Sequence, residues 1–154
     1  MSTGQQSATA GDRDLVATGF GLFFTFAGLM HFVSPGFFDE IVPPWLPPSE
    51  RFWTYLSGVA ELVVGPMLLV PRWRRAGAWA AIALLIGVYP ANLYMAWDWR
   101  DRAASEQVVS YGRLPLQIVM IWLVWRVARR WSGAAATPGA QGHDGGGHEE
   151  RTRG

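Results

Sequence analysis

Cysteine is absent from all 154 residues, and so is lysine. Without a thiol there is no thiolate catalysis, no disulfide exchange and no Cys-ligated zinc or iron–sulfur cluster. The 13 basic residues are all arginine, which reads as the codon bias of a GC-rich genome. No haem or flavin motif is visible either. No run alternates apolar and polar residues as the strands of a membrane barrel would, so a β-barrel is excluded. No nucleic-acid partner is expected.

What the chain does have is apolar length. Mean hydropathy is only +0.11. That average hides polar, small-residue ends around four apolar segments. A helix that crosses a membrane needs about 20 mostly apolar residues. Residues 15–33, 52–70, 76–97 and 114–131 meet or approach that length. The fourth is the weakest, because its arginines begin soon after Trp125. Long side chains there can reach the interface. The first segment is too long for a signal peptide, and VSPGFF after it has no small-x-small cleavage site. The expected fold class is an all-α membrane protein, a four-transmembrane-helix bundle spanning 15–131. Residues 1–14 and 132–154 are expected to be disordered, being too polar and small to bury a core.

Arginines set the expected orientation. With four spans, Arg13, Arg72, Arg74, Arg75, Arg126, Arg129, Arg130, Arg151 and Arg153 share one side, against Arg51, Arg100, Arg102 and Arg113 on the other. This predicts both termini in the cytoplasm of a bacterial cell, with the protein in the inner (plasma) membrane. Trp53, Trp73, Trp97, Trp99 and Trp131 mark span ends as an aromatic belt. Small residues are expected to let the helices approach. They are Ala17 and Gly21 on the first span, Ser57 and Gly65 beside Glu61 on the second, and Ala83, Gly87 and Ala91 on the third. Pro66 and Pro90 fall inside spans and should kink them.

Glu61 interrupts the apolar stretch FWTYLSGVAELVVGPMLLV. A carboxylate at bilayer depth costs roughly 2.5–3.5 kcal/mol or more and marks a functional site by default. Its other reading is a protonated structural carboxyl bonded to Ser57 or a neighbouring helix. His31, Thr54, Ser57, Tyr89, Asn92, Arg113 and Gln117 all fall in the outer half of the bundle, whereas the inner half is Leu, Val, Ile and Ala. Together they predict one outward-facing polar cavity with Glu61 at its floor. Glu61 and His31 are the candidate proton-transfer residues. Counting from span ends puts His31 several ångströms nearer the surface, so Glu61 is expected to lack a basic neighbour and to be largely protonated.

The other polar residues also have structural readings. His31 and Arg113 could serve as interfacial anchors. Asn92 could satisfy the carbonyl of residue 86 freed by Pro90, and Gln117 could satisfy a helix start. Metal ligation by His31 and Glu61 is weakly supported, and no metal is expected. In the outer loop IVPPWLPPSE, Pro43, Pro44, Trp45, Pro47 and Pro48 read as a rigid strap, either a lid for the cavity or a stiff connector. His143 and His148 stand near acids in the tail, which reads as solvated.

The segments GLMHFVSPGFFDEIVPPWLPP, SGVAELVVGPMLLVPRWRRAGAW, YPANLYMA and RLPLQIVMIWLVWR together resemble the DoxX-like family of small four-span membrane proteins. The resemblance covers roughly residues 17–126. It implies a four-helix bundle and a heterogeneous set of roles, one branch being similar to the membrane subunit of thiosulfate:quinone oxidoreductase. It carries no catalytic residues onto Glu61 or His31. The absence of cysteine departs from thiol-using branches. Three functions follow as expectations. The first is a non-catalytic membrane partner or scaffold subunit, not an enzyme on its own. The second is a redox-linked subunit whose cavity takes a quinone, with Glu61 passing protons. The third is a small-molecule transporter. No bound cofactor is expected, although a quinone would fit the second role. The partners are the lipid bilayer, a membrane or redox protein, or further copies of the chain.

Overall fold

Each apolar run becomes a helix, and the helices continue past the apolar residues. A computed structural model describes residues 3–130, with side chains over 14–129. Its elements are α1 (Thr3–Val33), α2 (Pro35–Asp39), α3 (Glu50–Leu69), α4 (Arg74–Asp98) and α5 (Ala104–Arg130). Short 3₁₀ turns, Pro71–Trp73 and Trp99–Asp101, flank α4. No strand occurs among the described residues. Four helices are long and apolar enough to cross a membrane. Their flanks are covered by exposed large apolar side chains, among them Leu22, Phe26, Val63, Ile86 and Trp122. An exposed apolar surface of that extent meets lipid, not water. The chain is a multi-pass membrane protein.

Two boundaries differ from expectation. α1 begins at Thr3, so the N-terminal segment expected to be disordered is helical from there. Propagating an existing helix costs little compared with nucleating one. α5 begins at Ala104, ten residues before the expected fourth span at Leu114, and runs through Pro115. Its start is held by side chains. Glu106 Oε2 accepts from the Ala103 amide at 3.3 Å, and Gln107 Nε2 donates to the carbonyls of Arg100 (2.7 Å) and Arg102 (3.0 Å). α3 starts on a capped turn, with Ser49 Oγ accepting from the Phe52 amide at 3.2 Å. The C-terminal segment 132–154, with His143 and His148, lies outside the described residues, as does Trp131.

α1 packs on α3 through paired glycines. A Cβ on Gly58 would come within 2.7 Å of His31 Cβ, and one on Gly65 within 2.8 Å of the Gly21 carbonyl oxygen. Gly28 and Gly21 face them from α1. The third span behaves differently. Gly87 has open space around it and Ala83 is exposed, so of the expected packing face Ala83–Gly87–Ala91 only Ala91 packs, against Ile41, Met95 and Trp99. α4 instead buries Ala78, Ala81, Ile82 and Leu85. With them Ala17, Phe24, Val64, Leu68, Val124 and Val127 form the main core.

That core lies toward the end of the bundle where α3 turns into α4, and buried Arg74 closes it. Its Nε donates to the Leu68 carbonyl at 2.9 Å and its Nη2 to that of Leu69 at 3.4 Å. Its Nη1 pairs with Asp14 at 2.8 Å. One side chain thus satisfies carbonyls left over at the end of α3 and ties α1 to α4.

Candidate functional site

At the opposite end the helices part around a cavity of about 390 Å³. The strap joins α2 to α3 there. His31, Thr54, Ser57, Glu61, Asn92, Arg113 and Gln117 all line this cavity, among apolar walls from Phe23, Phe24, Leu85, Val88, Leu116 and Met120. Tyr89 does not line it. The lining residues of α4 are Leu85, Val88, Ala91 and Asn92. At ~100° per residue Tyr89 sits about 90° around the helix from the centre of that face.

His31 lies against Glu61, contrary to the expectation that Glu61 has no basic neighbour. Nδ1 of His31 is 3.2 Å from Oε2 of Glu61, and the two side chains are only 9% and 16% exposed. Depth counted from span starts misled because α3 begins above the end of α1, beside the strap. The same Nδ1 is 2.8 Å from the Ala27 carbonyl oxygen. A proton on Nδ1 is directed to that carbonyl, and Glu61 Oε2 remains buried with no hydrogen-bond partner. The imidazole also stacks on Phe38 of α2, centroids 3.7 Å apart. The pair is therefore close, but its members are not satisfied by each other.

Across the cavity, Asn92 Nδ2 donates to Gln117 Oε1 at 2.7 Å. Gln117 Nε2 donates onward to the Leu85 carbonyl. The expected task of Asn92, relief of the carbonyl of residue 86 freed by Pro90, is not what the geometry gives. The contact to backbone near the proline comes from the neighbouring helix and reaches Leu85. Arg113 stands in the same wall, half-buried. Its guanidinium lies 5.7 Å from the Phe37 ring centroid, and its Nη1 lies 3.9 Å from Met95 Sδ. No carboxylate among the described residues pairs with it.

The strap prolines and Trp45 do not cover the cavity; Pro43, Pro44, Trp45, Pro47 and Pro48 are all missing from its walls. Trp45 is 71% exposed and meets Tyr94 edge-on. The cover comes from residues just before the strap, Phe38, Ile41 and Val42. Proline-rich backbone is too stiff to fold inward, whereas the short helix before it can lay its apolar side down.

Two acids on α2 and its end, readable in the sequence as an acidic outer loop but not as site residues, hold this cover in place. Asp39 accepts from Thr54 Oγ1 at 2.6 Å and pairs with Arg51 Nη2 at 2.8 Å. Glu40 pairs with Arg102 at 3.1 Å. Trp53 Nε1 donates to the Pro47 carbonyl at 3.0 Å, fixing the strap to α3. Trp99, expected in the interfacial belt, is instead buried against Ile41 and Met95. The acid-rich stretch before the strap was a visible signal, but its pairing needed the positions of Arg51 and Arg102. No cluster of three or more His or acidic residues that could hold a metal occurs among the described residues.

Fold and site together define the class: a four-span helical bundle with a polar-floored cavity at one end. The chain belongs to the family described as a domain of unknown function (DUF8561), which matches residues 20–128. No curated protein and no solved structure matches it.

Proposed function

We propose that this protein is a small membrane subunit of DoxX-like type that holds an amphipathic small molecule in the strap-end cavity. One observation carries the reading: a cavity of about 390 Å³ whose floor holds a buried carboxylate oxygen with no hydrogen-bond partner. Sites for small molecules have ~300–1,000 Å³, mostly apolar walls and a few convergent polar groups. His31 and Glu61 side by side can relay a proton, and a quinone head group is the redox version of the same reading.

A second role, as partner of another membrane protein, has its own support. Ala83 and Gly87 leave an exposed small-residue flank on α4, where another helix could approach closely. The arginine distribution favours cytoplasmic termini and the strap outside.

Purification from native membranes, followed by identification of co-extracted small molecules, tests the cavity. A molecule retained by wild type and lost in Ser57→Trp is expected; equal extracts from both variants would sink the reading. Because the chain is cysteine-free, Gly87→Cys gives a clean cross-linking site for the second role. Fusion reporters after Arg75 and near Pro48 test orientation, and an outside signal after Arg75 would reverse it.

A further inference from the structure

Given that the cavity holds a ligand at all, its charge and its opening narrow the class of molecule. Among the described residues Arg113 is a lining cation that no carboxylate pairs with. Glu61 has His31, not Arg113, within ion-pair distance. Asn92 and Gln117 are neutral and bonded to each other. Asp39 is engaged by Arg51 and Thr54. Arg113 is left as a cation facing the cavity, with only a ring face and a thioether beside it. A cation within a membrane bundle calls for a counter-ion, and the planar guanidinium fork matches a carboxylate or phosphate.

Part of the cavity wall is exposed on the lipid-facing flank. Among the lining residues only Phe23 on α1 and Leu116 on α5 are also exposed, at 51% and 56%. Both lie well inside their spans, and α1 and α5 meet least closely of the neighbouring helices. At the strap end the cavity is covered by Phe38, Ile41 and Val42, tied down through Asp39 and Glu40. A ligand entering between α1 and α5 would come from lipid.

We infer that the cavity takes a single-chain amphiphile with an acidic head group. The head sits beside Arg113, and the tail leaves the bundle between α1 and α5. A free acidic metabolite would need the covered end; the narrow approach of α1 and α5 suits one chain passing between them rather than two.

The test uses the full chain in phosphatidylcholine nanodiscs, titrated with radiolabelled oleate against empty nanodiscs. Unlabelled oleate, monododecyl phosphate, oleyl alcohol and decylubiquinone serve as competitors, and labelled decylubiquinone is titrated directly in parallel. Saturable oleate binding is expected, with oleyl alcohol weaker by about tenfold or more, since a charged hydrogen bond is lost. Preference between oleate and monododecyl phosphate separates a carboxylate head from a phosphate head. Arg113→Gln should weaken oleate by about tenfold and leave oleyl alcohol unchanged, while Arg113→Lys, which keeps the charge but not the fork, should fall between Gln and wild type. Should Arg113→Gln not fold, the acid–alcohol comparison on wild type decides alone. Oleyl alcohol or decylubiquinone binding as tightly as oleate would overturn the acidic head and leave the ligand cavity standing. Saturable binding of neither labelled probe would remove both.

Discussion

Replacing Glu61 by leucine should leave the bundle as stable as wild type or more so. Such tolerance is unusual for a mostly buried charged residue, and the geometry explains it. Breaking a buried pair ordinarily costs ~3–5 kcal/mol, because the remaining charge is stranded. Here Oε2 of Glu61 has no hydrogen-bond partner to lose, and the imidazole of His31 keeps its contact to the Ala27 carbonyl. A buried polar atom without a partner costs about 1–3 kcal/mol, so removing it offsets the lost proximity to His31. Hydrogen bonds between membrane helices average only ~0.6 kcal/mol in any case. Glu61→Gln should therefore stay within about 0.5 kcal/mol of wild type, and Glu61→Leu should fall between no change and a gain of ~1–3 kcal/mol. Both variants should lose any proton-coupled activity. The assay is reversible unfolding in mixed micelles by denaturing detergent, read by helical circular dichroism. A loss beyond roughly 2 kcal/mol in Glu61→Gln would refute the reasoning, since it would make the carboxylate a structural half of an ion pair.

Other substitutions probe the frame. Arg74→Met removes the donors to Leu68 and Leu69 and should cost about 2–4 kcal/mol, whereas Asp14→Asn, on the 62%-exposed partner, should cost under ~1 kcal/mol; thermal unfolding in detergent checks both, and equal losses would contradict it. Gly65→Leu should block the α1–α3 approach and lower the yield of folded protein, while Gly87→Leu, facing open space, should be silent by size-exclusion profile. Gln117→Leu leaves Asn92 and the Leu85 carbonyl without their partner and should destabilise by roughly 1–3 kcal/mol, with Asn92→Leu in the same background costing little more.

Helix existence was legible because lipid demands long apolar runs, and nothing else in the chain resembles them. Helix ends were less legible. α5 gains ten residues from the capping of Ala103 by Glu106, a local bond that hydropathy does not register. The polar cavity was readable as a cluster at one depth. His31 beside Glu61 was not, because depth along one helix says nothing about how far the next begins above it. Small residues marked the right face on α3, but on α4 only Ala91 of the expected three packs. A small side chain permits close packing, but whether another helix arrives depends on where the remaining elements lie. The strap drew attention through its prolines, yet the side chains over the cavity are the apolar ones just upstream of it.

Arg74 has a mechanical consequence. It rivets α1, α3 and α4 at one end of a bundle whose dense core lies beside the rivet, while the cavity occupies the other end. Such a bundle works as a clothes-peg. Small rotations at the pivot become larger separations at the jaws, and Asp39–Arg51 and Glu40–Arg102 are the catch that holds the jaws shut. In that picture Arg74 holds α1, α3 and α4 together at the end away from the cavity, and α5 is the jaw it leaves untied.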